Sequence, residues 1–179
     1  MNEAAKAATA EVRGMSDDEV RARVIGLAFG GDAERFDAFV AALREALPPD
    51  VTVVLRGSAV VGRRWEDGAP FDADGPGTSD LDLALVGGDM LKLWRDDAMY
   101  LPGLHSAPLD EERPDAAPAL APLRRALTAI AGRPVHLQAT RGVVQAAREV
   151  LMDQPAFTLV DADAREADGR PAGQERAGE

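Results

Sequence analysis

VVLRGSAVVGRRWEDGAPFDADGPGTSDLDLALV, residues 53–86, holds two apolar runs that bracket a glycine–serine turn, a polar loop and a pair of spaced aspartates. Val51, Val53, Val54 and Leu55 make a β-branched run predicted to be a buried strand, stopped at Arg56-Gly57-Ser58, where glycine permits a tight turn and close backbone approach. Ser58-Ala59-Val60-Val61 reads as the first turn of a short helix. Backbone N–H groups at such a turn, with the Ser58 hydroxyl, form an anion cradle suited to a triphosphate. In the second run Leu81, Leu83 and Leu85 fall on one strand face and Asp80, Asp82 and Ala84 on the other, because strand side chains alternate. Two carboxylates on one sheet face repel, and a divalent cation between them or open water over them relieves the repulsion.

Toward the N-terminus, a helix over residues 32–47 leads into the first strand. Asp32 caps it, Phe36, Phe39, Val40, Leu43 and Leu47 recur at three- and four-residue spacing, and Pro48-Pro49-Asp50 stops it. Before it, Ser16-Asp17-Asp18-Glu19 is a capping box that opens a helix through Phe29, with Val20, Val24, Ile25 and Leu27 apolar and Gly30-Gly31 as its end. Residues 1–15 form an alanine-rich lead that reads as a frayed helix or a disordered segment.

Toward the C-terminus, the polar loop from Arg63 to Thr78 reads as a mobile, solvated lid, with Trp65 either anchoring it to the domain, the favoured role, or stacking on a base. Its Asp72-Ala73-Asp74-Gly75-Pro76-Gly77 superficially resembles a calcium loop, but Leu83 stands where the closing acid belongs. Residues 89–96 predict a short helix, residues 100–117 a proline-broken, acid-rich connection containing His105, and residues 117–131 a helix with Leu120, Leu123, Leu127 and Ile130 as its stripe. PVHLQAT, residues 134–140, is the third strand, with Val135, Leu137 and Ala139 on one face and His136, Gln138 and Thr140 on the other. A last helix over residues 141–152 has Val143, Val144, Ala147 and Val150 as its expected core face, and residues 157–160 add an edge strand. Residues 161–179 are polar and charged and read as a disordered tail. The pattern predicts an α/β (α+β) domain over residues 16–160, a small mixed β-sheet with helices packed mainly on one face.

Apolar residues make up 46% of the 179 but aromatics only 4%, so alanine, valine and leucine must supply the core volume of a single layered domain. A formal charge of -11 argues against general nucleic-acid binding, because phosphate contacts need a basic surface. The local exception is Arg56, Arg63 and Arg64 beside the motif. The acidic balance suits a cationic small molecule or a protein acceptor. Without cysteine, disulfides and thiolate–zinc sites are excluded. The N-terminal residues show no basic start followed by an apolar run, and no span has membrane length, so the expectation is a soluble cytoplasmic chain without a membrane partner.

A Gly-Ser turn after one strand and an Asp-x-Asp on the next, within LRGSAVVGR and TSDLDLALV, resembles the nucleotidyltransferase superfamily, the group similar to the polymerase-β catalytic domain. The resemblance implies that Gly57 and Ser58 hold the triphosphate of an NTP, that Asp80 and Asp82 bind Mg²⁺ (or Mn²⁺), and that the helix before the first strand packs opposite the active site. Such chemistry rests on positioning and charge neutralisation. Two features depart from the family pattern. The turn and the first aspartate are separated by an inserted loop, which costs little entropy. The strand 134–140 has no acid where active members carry a third carboxylate, and His136 or Gln138 stands there instead.

Three readings stay open at that position. A neutral His136 acts as a base, though imidazole is softer than Mg²⁺ prefers; an acid from elsewhere, Asp110, Glu111, Glu112 or Asp153, folds in; or the domain binds without catalysing. The expected activity is Mg-dependent transfer of a nucleoside monophosphate from an NTP to a hydroxyl of a small-molecule or protein acceptor, with Arg56 or Arg63 neutralising phosphate charge. The alternative is a degenerate module that binds nucleotide or a partner protein, antitoxin-like or regulatory, without turnover. A purely structural reading, in which the aspartates wet a sheet face, predicts no nucleotide binding.

Overall fold

The computed structural model describes residues 3–87, 89–162 and 164, and it has the mixed α/β architecture that the pattern predicts. Strands β1 (Thr52–Arg56), β2 (Leu81–Val86), β3 (Met99–Leu101), β4 (His105–Ser106), β5 (Val135–Thr140) and β6 (Phe157–Val160) form one open sheet in the order β3-β4-β5-β2-β1-β6. β2 runs parallel to β5 and antiparallel to β1, and the remaining pairs are antiparallel. The helices are α1 (Glu3–Arg13), α2 (Asp17–Phe29), α3 (Ala33–Ala46), α4 (Ser58–Val61), α5 (Ala121–Ala131) and α6 (Gly142–Leu151).

Alternation along the strands sorts the sheet into an apolar and a polar face. Val53 and Leu55, Leu81, Leu83 and Leu85, and Val135, Leu137 and Ala139 join one core with residues of α2, α3 and α5. Phe29 meets Phe36 and Phe39 edge-on, each with ring centroids 5.4 Å apart, so the few aromatics are spent at the centre of that layer. The caps that the sequence predicts form: the Glu19 carboxylate accepts from Ser16 N–H at 2.7 Å, Gly30 ends α2 in the left-handed region, and Asp32 accepts from Arg35 N–H at 3.0 Å. α3 is thereby aimed so that its Phe36, Phe39 and Leu43 stripe is buried.

Four segments differ from expectation. The N-terminal lead is helical from Glu3, and its Ala5, Ala8 and Val12 are buried, because alanines at helical spacing let α1 approach closely. The connection 100–117 contains the hairpin β3–β4, which extends the sheet beyond β5. Residues 89–96 form 3-10 turns at Met90–Leu93 and Asp96–Ala98 in place of an α-helix. α6 presents the opposite face to the one predicted: Gln145 is buried while Val143 and Val150 are 68% and 77% exposed. The reason is the surface it covers. α6 packs toward the polar sheet face of Asp82, Gln138 and Thr140, so its polar stripe turns inward. All but residues 161, 162 and 164 of the expected tail lie outside the described residues.

The inserted loop is folded against the domain. Arg64 N–H donates to the Ala69 carbonyl at 2.8 Å and Phe71 N–H to the Gly62 carbonyl at 2.9 Å. The Asp72 carboxylate accepts from Gly77 N–H at 3.0 Å, Ser79 N–H at 2.9 Å and the Arg133 guanidinium at 2.9 and 3.1 Å. Against desolvation, which pushes it up, these donors hold the Asp72 carboxyl below its ordinary pKa. The anchor is Phe71, buried beneath the Arg133 guanidinium at 4.6 Å, and not Trp65, which is half-buried. With Asp72 committed to Arg133 and Asp74 to Arg64, the calcium-like segment has spent both carboxylates.

Candidate metal and anion cleft

Strand register assembles the site. Arg56 of β1 pairs with Asp82 of β2, and Asp82 pairs with His136 of β5, so the three residues form a row across one sheet face. Asp80, one alternation earlier and just ahead of β2, joins them. His136 Nδ1 lies 3.0 Å from Asp80 Oδ2 and 3.5 Å from Asp82 Oδ1. One donor atom from each of Asp80, Asp82 and His136 falls within 4.8 Å of the others, a group that could hold a metal ion. Hydrogen bonds to Asp80 and then Asp82 raise the His136 pKa to about 10, and the same contact holds Asp80 below the ordinary carboxylate range. At neutral pH His136 is therefore an imidazolium between two carboxylates, not the neutral base that the sequence suggests.

Gly57 stands over this group with φ 76 and ψ -151, and a Cβ there would lie 3.2 Å from Asp82 Oδ2. Glycine is required on both counts, conformation and clearance. Ser58 follows as the first residue of α4. Gly57, Ser58, Arg56, Arg63, Asp80 and Asp82 all line one cleft of about 490 Å³, within the range of small-molecule sites. His136 is not itself a lining residue but contacts Asp80 and Asp82, which are.

The wall beyond Asp82 is cationic. Arg56, 6% exposed, donates from Nη2 to Gln138 Oε1 at 2.6 Å, a diagonal reach from its own row with Asp82 to the neighbouring row of Ala84 and Gln138. Its Nε and Nη1 have no partner among the described residues. Burial, then the neighbouring Arg148, depress the Arg56 pKa to about 10, with Asp82 pulling the other way. Arg148, from α6, donates to His105 Nε2 at 3.1 Å, which makes that nitrogen the acceptor. Burial and Arg148 lower the His105 pKa to about 4, so this ring is neutral. Arg63 donates to the Gly68 carbonyl at 2.9 Å. Among the described residues none of Arg56, Arg63 and Arg148 has a carboxylate at ion-pair distance. An acidic chain thus sets three guanidiniums without an ion-pair contact among the described residues into the cleft that holds the aspartates.

Of the acids named for the third position, Glu111 is the one brought in: its Oε2 lies 3.5 Å from His136 Nε2, and its Oε1 accepts from Arg124 at 2.7 Å. Asp110 is occupied by Arg113 N–H at 2.7 Å, Glu112 pairs with Arg113, and Asp153 pairs with Arg13. Gln138 is the clamp on Arg56 and not a metal neighbour. Arg148 was not legible as a cleft residue, since its helix reads as apolar-face-inward. No helix among the described residues is long and apolar enough to cross a membrane. Comparison with protein-family models, with curated proteins and with solved structures found no match.

Proposed function

We propose that this chain is a metal-dependent nucleotidyltransferase that transfers a nucleoside monophosphate from an NTP to a hydroxyl of a small-molecule or protein acceptor. The observation that carries the reading is the division of one cleft into a carboxylate end, Asp80 and Asp82 beneath the Gly57–Ser58 turn, and a guanidinium wall of Arg56, Arg63 and Arg148 without acid partners. A metal–triphosphate complex carries both complementary charges. The donor set fits a divalent cation, which when bound neutralises phosphate charge and aligns the displacement at the α-phosphorus. Asp80 and Asp82 would hold that cation. Gly57 lets the backbone approach the phosphates, Ser58 offers its hydroxyl and N–H to them, and the desolvated Arg56 projects charge undiminished by water. Half-buried Trp65 borders the same cleft and gives a base a flat face.

Calorimetric titration of each NTP with Mg²⁺ or Mn²⁺ into the wild type and into Asp80→Ala/Asp82→Ala tests the proposal, followed by a screen for labelled transfer. Metal-dependent binding lost in the double variant is the expected result. NTP binding in neither protein overturns it. One observation favours a second reading: His136 Nδ1 already lies against both aspartates, so part of their mutual repulsion is relieved without metal. That arrangement suits a nucleotide- or partner-binding module without turnover, and metal-independent nucleotide binding with no transfer would select it.

A further inference from the structure

We infer that the Asp80–Asp82–His136 group is built for a first-row transition ion in preference to Mg²⁺, and that Glu111 is the positioning residue that makes His136 a ligand. The inference rests on the metal part of the reading above and needs no nucleotide. Its first support is the donor set. Two carboxylate oxygens and one imidazole nitrogen share the site, and nitrogen ligation discriminates against the hard, strongly hydrated Mg²⁺. The second is what stands behind the ring. His136 presents Nδ1 to the aspartates and Nε2 to Glu111 Oε2 at 3.5 Å. Metal binding displaces the Nδ1 proton of the imidazolium, and a carboxylate beside the far nitrogen keeps the remaining proton on Nε2 and fixes ring orientation.

The placement of Glu111 is itself built. Leu109 and Leu137 form a two-way backbone bridge, Leu109 N–H to the Leu137 carbonyl at 2.8 Å and the reverse at 3.2 Å, which clamps the incoming loop to β5 next to His136. Arg124 of α5 then takes the other Glu111 oxygen at 2.7 Å. Strand and helix therefore fix the place of Glu111, which alone of these residues stands beside the imidazole. A sheet face that merely tolerates a histidine has no need of this chain of partners.

The test is metal binding alone, without nucleotide. Mn²⁺ and Mg²⁺ titrations by calorimetry on the wild type, Glu111→Gln and His136→Asp are combined with pulsed EPR of bound Mn²⁺. The wild type is expected to prefer Mn²⁺ by at least about tenfold more than His136→Asp does, and to show an imidazole ¹⁴N coupling that His136→Asp lacks. Glu111→Gln is expected to lose about 10–100-fold in Mn²⁺ affinity. Absence of ¹⁴N coupling in the wild type, or an unchanged Mn²⁺/Mg²⁺ ratio in His136→Asp, overturns the ion preference. Unchanged Mn²⁺ affinity in Glu111→Gln overturns the positioning role. Since the wild-type spectrum alone decides ligation, a poorly folding variant does not shelter the inference. Magnesium-dependent NTP binding with no ¹⁴N signal would sink this inference and leave the transferase reading standing.

Discussion

Replacing Gly57 by alanine strikes the fold and the site through one atom. The residue's φ of 76 and ψ of -151 lie in a region that is essentially glycine-only, where a side chain costs about 1–3 kcal/mol. For a chain of this size each kcal/mol lowers the melting midpoint by about 2–4 °C, so the expected drop is roughly 2–12 °C. The added Cβ would also sit 3.2 Å from Asp82 Oδ2, and the carboxylate must yield by a few tenths of an ångström. Metal affinity is expected to fall along with stability. Gly62→Ala is the comparison: its φ of 81 and ψ of 3 lie in the left-handed region, where a side chain costs less than at Gly57, and its Cβ would meet Arg23 Nη2, which donates to the Val61 carbonyl, away from the carboxylates. Urea unfolding with unchanged m-value measures the first effect, and Mn²⁺ titration the second. Both variants should be destabilised, with metal affinity reduced in Gly57→Ala only. A Gly57→Ala protein within about 0.5 kcal/mol of wild type that binds Mn²⁺ normally would refute the reasoning.

Arg133→Met leaves the Asp72 carboxylate without its two-pronged partner and is expected to cost about 3–5 kcal/mol, with new protease cleavage inside residues 63–79 as the diagnostic readout. Leu43, fully buried beneath the phenylalanine cluster, should lose about 2–5 kcal/mol in urea unfolding when cut to alanine. His105 supplies a pH dependence. Its folded pKa of about 4 lies below the ordinary 6.5, so the unfolded chain binds more protons between those values; the stabilisation is complete above pH 6.5 and is lost as pH falls toward 4. The depression amounts to about 3 kcal/mol at most, and His105→Gln should flatten the stability profile over that window. A slope unchanged by that substitution would assign the acid sensitivity to other groups.

The carboxylate pair and His136 could be placed on one face from sequence because strand alternation is a local rule, and Asp80, Asp82 and His136 obey it. Helix caps were legible for the same reason: Ser16 with Glu19, and Asp32, act within one turn. Glu111 was only one acid among four, since its position depends on the backbone bridge between Leu109 and Leu137, which no spacing encodes. The Asp72–Arg133 pair joins residues distant in sequence, and neither carries a local signal of the other. α6 misled in a different way. Its valines at helical spacing promise a core face, but the layer it covers is polar, and Gln145 and Arg148 turn toward that layer instead. Periodicity reveals which residues share a helix face, while the chemistry of the opposing surface decides which face is covered.

The position of β1 between β2 and β6 has a consequence for how the chain reaches its fold. One flank of β1 pairs with its antiparallel neighbour β2, and the other with Phe157–Val160, the last strand described and the later of the two in the chain. Until that segment arrives, Val53, Val54 and Leu55 offer an open apolar edge of the kind that recruits other chains. The parallel pairing of β2 with β5 also closes a long loop, a step intrinsically slow compared with hairpin formation. Asp82 and His136 face each other only after that step. Ligation across them would therefore stabilise the late, non-local pairing selectively, making the cation a brace for the assembled sheet as well as an instrument of chemistry.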